Sequence, residues 1–328
     1  MKAAVFHELG GPEVLHVEDW EKESPKAGEV LIKVTSAGLN RADLLFQLGK
    51  YYRKPEFPSR TGKEAAGIVE AVGDGSRYTP GDRVAVLAST LHASSQGGVA
   101  EYVVAPDALV VPTPDSVSDE DAGGIWMQYL TAYGALNYVT HIRPGDRVVI
   151  TASSSSVGLA AIQLTKMLGG IPIATTTSPG KVERLKELGA THVIDTQNED
   201  YVQRVLGITD NQGAEIIFDA VAGAMMDRHI EAVKRFGWIF VYGVLDTTPM
   251  TVNAGLMIGK NATLRAYSVG HLYPDTQAVQ QAVETIHAGL DSGDLQLHID
   301  RRFPMGEVQE AFRYLLSNQQ VGKIVVNP

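Results

Sequence analysis

The stretch Gly145-Asp146-Arg147-Val148-Val149-Ile150-Thr151-Ala152-Ser153-Ser154-Ser155-Ser156-Val157-Gly158 decides the fold. Residues 147–151 read as an apolar-cored strand. Beyond them Val157, Ala160, Ala161, Leu164 and Leu168 fall at helical spacing. A strand, a turn of small residues and a helix open a βαβ unit. The alternation continues downstream, with strands expected at 171–175, 192–194, 215–220 and 238–242. Helices are expected between them at 181–188, 201–207 and 226–233. Strands alternating with helices at this spacing predict an α/β domain, a doubly wound parallel sheet covered on both faces.

Upstream the pattern differs. Short strands at 1–6, 30–37, 67–72, 83–87 and 100–104 are separated by Gly10-Gly11-Pro12, Pro80-Gly81-Asp82 and similar punctuation. Regular turns with few helices read as a β-rich, barrel-like domain. A helical stretch is expected at about 119–139. Past residue 270, helices at 276–289 and 306–316 flank a segment at 299–304. A closing apolar strand at 323–326 can pair back with the N-terminal part.

The 328 residues suggest about two domains of roughly 150 residues each. With 44% hydrophobic and 20% charged residues the chain is of ordinary globular type. Its net charge of −10 argues against nucleic acid as a partner. The absence of cysteine excludes disulfides and thiolate metal sites. The apolar run Ala3–Phe6 stops at His7, too short for a signal peptide. No window approaches the length of a membrane-spanning helix. A soluble, cytoplasmic protein with no membrane partner is therefore expected.

The turn Ala152–Gly158 lies where a dinucleotide-binding turn lies, and there small residues let the backbone approach a pyrophosphate at a helix N-terminus. Of the GxGxxG pattern only Gly158 is present, with Ser153 and Ser155 at the first two glycine positions. The same residues also read as a serine-rich helix cap. At the end of the second strand, Thr175-Thr176-Thr177-Ser178-Pro179-Gly180-Lys181 offers hydroxyls and a lysine but no carboxylate for a ribose 2′-OH. That suits a 2′-phosphate and favours NADPH, although the segment also reads as a solvated loop. Nine scattered histidines show no HExxH spacing, and no metal site is expected.

Several motifs in register then carry a resemblance over essentially the whole chain. They are Gly38-Leu39-Asn40-Arg41-Ala42-Asp43, Gly62-Lys63-Glu64-Ala65-Ala66-Gly67-Ile68-Val69, Pro80-Gly81-Asp82-Arg83-Val84, Gly98-Val99-Ala100-Glu101-Tyr102, Leu130-Thr131-Ala132-Tyr133 and Gly322-Lys323-Ile324-Val325-Val326. Together they resemble the medium-chain dehydrogenase/reductase superfamily, in its zinc-independent quinone oxidoreductase branch. Lys63 stands where the zinc-dependent alcohol dehydrogenases carry a ligand histidine, and Asn40–Asp43 offers no thiol.

The resemblance implies a GroES-like catalytic domain from residues 1–122 and 268–328, with a Rossmann domain at 123–267 inserted between. It implies hydride transfer from NADPH to a small-molecule quinone or α,β-unsaturated carbonyl, an acceptor that spreads the incoming charge over its own π-system. Tyr51, in Gly49-Lys50-Tyr51, resembles the proton-donor tyrosine of the enoyl reductases, and it also reads as pocket lining. Asn40 resembles a residue that orients cofactor or acceptor. By the same comparison Thr131 lies near the nicotinamide, and Ser155, Ser156, Val157 and Gly158 line the pyrophosphate. Thr177, Ser178 and Lys181 take the 2′-phosphate. Ala220, Val221, Tyr242, Gly243 and Val244 end the fourth and fifth strands, and Lys323 reaches a phosphate or the cleft. The segment 262–268 resembles the strand through which the family often dimerises. The competing readings are a low-turnover NADPH-binding sensor and, more distantly, a zinc-type alcohol dehydrogenase.

Overall fold

The structure, a computed structural model, describes all 328 residues and divides into two compact units. Met1–Met127 and Leu297–Pro328 form the first, Gln128–Gln296 the second.

The second unit is built on a six-stranded sheet in which every neighbouring pair is parallel. In spatial order its strands are His192–Asp195, Ile171–Thr176, Arg147–Ile150, Ala214–Asp219, Val233–Val241 and Thr263–Ala266. Strands rich in Val and Ile bury one face through Val149, Ile173, Ile194, Ile217 and Ile239. These pack against Tyr201, Val202 and Val205 of helix Tyr201–Ile208 and Met226 and Ile230 of helix Met226–Ala232. The first strand in the chain, Arg147–Ile150, sits between the second and the fourth. The connection after the first strand runs toward one edge and that after the fourth toward the other, which in such sheets opens the ligand-binding crevice between their C-terminal ends.

Three local features depart from the simple alternation. The stretch around 119–139 is a single-turn 3-10 segment Ala122–Gly124, an α-helix Trp126–Tyr133 and a wider π turn Gly134–Val139. A Cβ on Gly134 would meet the Tyr267 hydroxyl at 1.7 Å, so only glycine admits that ring at the turn. The fifth strand starts at Val233, because Phe236 adopts φ +64° and bulges the chain between two paired stretches. Finally, residues 268–296 fall in the second unit. The helix Thr276–Ser292 buries Ala278, Ala282, Ile286 and Leu290, and Gly289 lies so close to Leu295 and Met167 that a Cβ would strike both.

The first unit holds a seven-stranded sheet and a three-stranded one. Its long strand Glu29–Gly38 pairs antiparallel with Ala66–Val72, with Tyr102–Pro106 and with the C-terminal strand Lys323–Asn327. The last pairing sets Val325 opposite Gly38 and Val326 opposite Ala37, so the closing strand does pair back with the N-terminal segment. Helix Val308–Ser317 covers the strand through Val308, Ala311, Phe312 and Leu315, in one cluster with Phe6, Leu39, Leu44 and Phe46.

Candidate active site

In the second unit the turn after Arg147–Ile150 is knotted by side chains. Ser153 points inward; its Oγ donates to the Ile150 carbonyl at 2.6 Å and accepts from the Thr175 N–H at 2.9 Å. It thereby ties the first strand's end to the second's, a link no glycine at that position supplies. Ala152 takes a left-handed φ of +47° to make the turn. Ser155 caps helix Ser156–Met167, its Oγ accepting from the Gly158 N–H at 3.1 Å. A Cβ on Gly158 would meet the Ser153 Cα at 2.7 Å, so the third glycine of the pattern is required by backbone packing.

Beyond the second strand, Thr176 Oγ1 accepts from the Ser178 N–H at 3.0 Å, and Thr177 is exposed. Lys181 Nζ donates to Ser154 Oγ at 3.1 Å. An ammonium and several hydroxyls thus stand beside a helix N-terminus, a donor set suited to a doubly charged phosphate. Asp195, whose backbone is opposite Thr176 in the register, is committed to the Gln197 N–H and the Asn198 amide.

The fourth strand ends in a buried polar knot. Asp219 accepts from Thr151 Oγ1 at 2.7 Å, from the Val221 N–H at 2.9 Å and from the Ala222 N–H at 2.7 Å. His229 Nε2 lies 3.4 Å away, and its Nδ1 shares a 2.8 Å hydrogen bond with the Tyr201 hydroxyl. Against burial, these donors hold the Asp219 carboxyl below the usual carboxylate range. The knot shapes the turn through Ala220 and Val221, with Ala222 at φ +60°. Backbone bonds from Leu245 to Ala220 and from Asp246 to Val221 bring in the segment Tyr242-Gly243-Val244. Tyr242 stacks on Phe218 with ring centroids 4.0 Å apart, and a Cβ on Gly243 would lie 2.8 Å from the Ala220 carbonyl. Thr131, nearly buried, lies on helix Trp126–Tyr133.

In the first unit a second cluster is sealed from water. Lys323 Nζ donates to Asn40 Oδ1 at 2.7 Å and also to Glu64. Asn40 Nδ2 donates to the Gly38 carbonyl and to Glu64 Oε1, both at 3.1 Å, and Glu64 Oε2 accepts from the Met127 N–H at 2.7 Å. Gly38 makes room: a Cβ there would press within 2.6 Å of both Glu64 and Lys323. The Lys323 ammonium is thus held by Asn40 and Glu64, and both Asn40 amide protons go to protein acceptors. The sequence shows Glu64 only as a motif letter; its partner lies 259 positions away.

Helix Arg41–Gln47 starts on the same cluster, with Asp43 Oδ2 accepting from the Asn40 N–H at 2.9 Å. Burial raises the Asp43 carboxyl to about 6, against the opposing pull of Lys63. Tyr51, half-buried, packs against Tyr52 with the rings tilted by 39° and centroids 4.3 Å apart. Burial and the Tyr52 contact push its phenol above the ordinary value, so it keeps its proton at neutral pH. Tyr129, Tyr133 and Tyr267 are buried. No group of three or more histidine, aspartate or glutamate side chains converges as metal ligands do.

Comparison with known proteins joins these two halves. The alcohol dehydrogenase GroES-like domain matches residues 26–115 and the zinc-binding dehydrogenase domain matches 156–288. A quinone oxidoreductase of Pseudomonas aeruginosa is 30% identical over 100% of this chain and 99% of its own. The chain belongs to the quinone oxidoreductase branch of the medium-chain dehydrogenase/reductase superfamily. Among solved structures of this branch, a quinone oxidoreductase of Pseudomonas syringae pv. Tomato matches with a TM-score of 0.90 at 31% identity, covering 100% of this chain and 99% of that one. An Escherichia coli quinone oxidoreductase, solved in complex with NADPH, matches with a TM-score of 0.91 at 26% identity over 100% of both chains. The fold, a GroES-like domain with a Rossmann-type parallel sheet, is that of the branch.

Proposed function

We propose that the protein is an NADPH-dependent oxidoreductase that reduces quinones or α,β-unsaturated carbonyls. Family membership supports the reaction class. The observation that carries the nucleotide is the Lys181–Ser154 contact beside a capped helix, with hydroxyls at Thr177 and Ser178 and no free carboxylate. Ser155, Ser156, Val157 and Gly158 would hold the pyrophosphate and Thr177, Ser178 and Lys181 the 2′-phosphate. Thr131, Ala220, Val221, Tyr242, Gly243 and Val244 would line the nucleotide. When bound, NADPH supplies the hydride. Tyr51 holds a proton on its phenol and is the group from which the reduced acceptor takes one. Asn40 acts indirectly, joining Lys323 and Glu64 to the start of helix Arg41–Gln47.

Oxidation of NADPH followed with 1,4-benzoquinone, 9,10-phenanthrenequinone and a crotonyl-type enone tests the reading. Turnover with at least one acceptor, faster with NADPH than with NADH, is expected. Tight NADPH binding with no oxidation across the panel would assign the protein to nucleotide sensing instead. The reading includes a homodimer, supported by the edge strand Thr263–Ala266 at one end of the six-stranded sheet. It also includes action in the cytoplasm; no helix is long and apolar enough to cross a membrane.

A further inference from the structure

Lys63 is the one cation of the first unit's buried cluster that the arrangement so far leaves without a task. Its side chain is 94% withdrawn from solvent, at 6% relative exposure. Its ammonium nevertheless makes no hydrogen bond and no ion pair with any protein group, whereas the neighbouring Lys323 has two acceptors. It lies over two aromatic faces, 4.5 Å from the Tyr51 ring centroid and 5.0 Å from that of Phe46. The nearby carboxylates make no hydrogen bond to it, although Asp43 Oδ1 is buried without a partner. Glu64 serves Lys323, Asn40 and the Met127 N–H, and Asp43 Oδ2 takes the Asn40 N–H. A methionine would fill the same space without the cost of partly desolvating an ammonium and its N–H donors. Rings attract the charge but do not satisfy those donors. The main chain around the residue is fixed, since the Lys63 carbonyl accepts from the Ser89 N–H at 2.7 Å. What is left is a rigidly based, partly desolvated cation next to the phenol of Tyr51, lacking an acceptor.

We propose that the Lys63 ammonium is a catalytic group that donates a hydrogen bond to the acceptor oxygen on which charge gathers during reduction. This rests on the reading of the protein as a reductase of conjugated carbonyls. As a hydride forms the new C–H bond at the β-carbon of an enone, the C=C π pair shifts and the carbonyl oxygen becomes an enolate oxygen. Lys63 meets that oxygen and stays charged. One proton, drawn from the Tyr51 phenol and returned to it by water, then completes the α-carbon. A cation held ready in a water-poor site is worth most where charge develops. Burial lowers the Lys63 ammonium below its ordinary value, and Asp43, buried in the same cluster, opposes that by favouring the charged form.

The test combines binding with turnover. 4-Nitrophenol, an aromatic acid that ionises near neutrality, imitates the oxyanion, and its absorption band reports whether it binds as phenol or phenolate. Wild-type protein with NADP⁺ is expected to bind it as phenolate. Lys63→Met is expected to bind phenolate about tenfold more weakly and to lower kcat with the enone by about 100-fold, leaving the KM for NADPH unchanged. Lys63→Arg should restore much of both. Lys63→Met also removes the charge that opposes the raised Asp43 carboxyl, so melting is measured alongside, and Lys63→Gln repeats the binding and turnover measurements at a comparable melting temperature. Phenolate affinity within twofold of wild type in both neutral variants, or no phenolate binding to wild type, overturns the proposal. Absence of NADPH oxidation by wild type with every acceptor overturns the reductase reading instead, and the phenolate measurement still decides the assignment of Lys63.

Discussion

Lys323 and Glu64 are both charged, touch one another and are closed to water, so each is tolerable only while the other is present. Lys323→Met is expected to lower unfolding stability by about 3–5 kcal/mol, since it strands a buried carboxylate. Pairing it with Glu64→Gln should recover a large part of that loss in urea melts. A double variant as unstable as the single one would contradict the account. Asp43 gives a pH signature. Its folded value of about 6 lies above the ordinary 3.8, so the folded state binds the proton more tightly than the unfolded one. Its contribution is full below pH 3.8 and is lost as the pH rises through 6, a change on the order of 3 kcal/mol. Asp43→Asn should flatten that segment of the stability–pH curve. Tyr51→Phe keeps the ring beneath Lys63 and removes only the proton, and enone kcat is expected to fall by about 100-fold or more. Unchanged enone turnover would remove the phenol from the reaction.

At the scale of elements, the turn opening helix Ser156–Met167 carries the sharpest expectation. Gly158→Ala would place a carbon 2.7 Å from the Ser153 backbone, so the turn must move and NADPH affinity is expected to drop by about tenfold or more. Ser155→Ala removes the cap along with one hydroxyl of the pyrophosphate turn and should cost about 1 kcal/mol in stability. Calorimetric titration of the two variants separates the effects. The strand–helix alternation of the second unit was legible because each element repeats its own apolar period, and Val149, Ile173 and Ile194 fall on the core face that pattern requires. The side-chain knots were not legible. Ser153 reads as a degraded glycine until its two hydrogen bonds are seen, and His229 reads as one scattered histidine among nine. Periodicity reports which face is buried. It says nothing of where a polar group finds its partner when that partner is distant in the chain.

For the whole molecule, the edge strand Thr263–Ala266 sets the expected assembly. The Tyr267 N–H points to Val241, so the Ala266 N–H faces away from the sheet and is open to a second copy. Ala266→Pro removes that donor and should shift a dimer toward monomer in sedimentation. No change in mass would place the contact elsewhere. The helix Thr276–Ser292, with its buried alanines, lies in the second unit. The closing strand Lys323–Asn327 has a consequence for biogenesis. During translation the second unit's residues leave the ribosome before 297–328 do, so its sheet can close while the first unit still lacks a strand and Glu64 still lacks its cation. The earliest-made half of the protein is therefore the last to mature, and until then the Ala37–Gly38 edge waits for the strand that pairs with it.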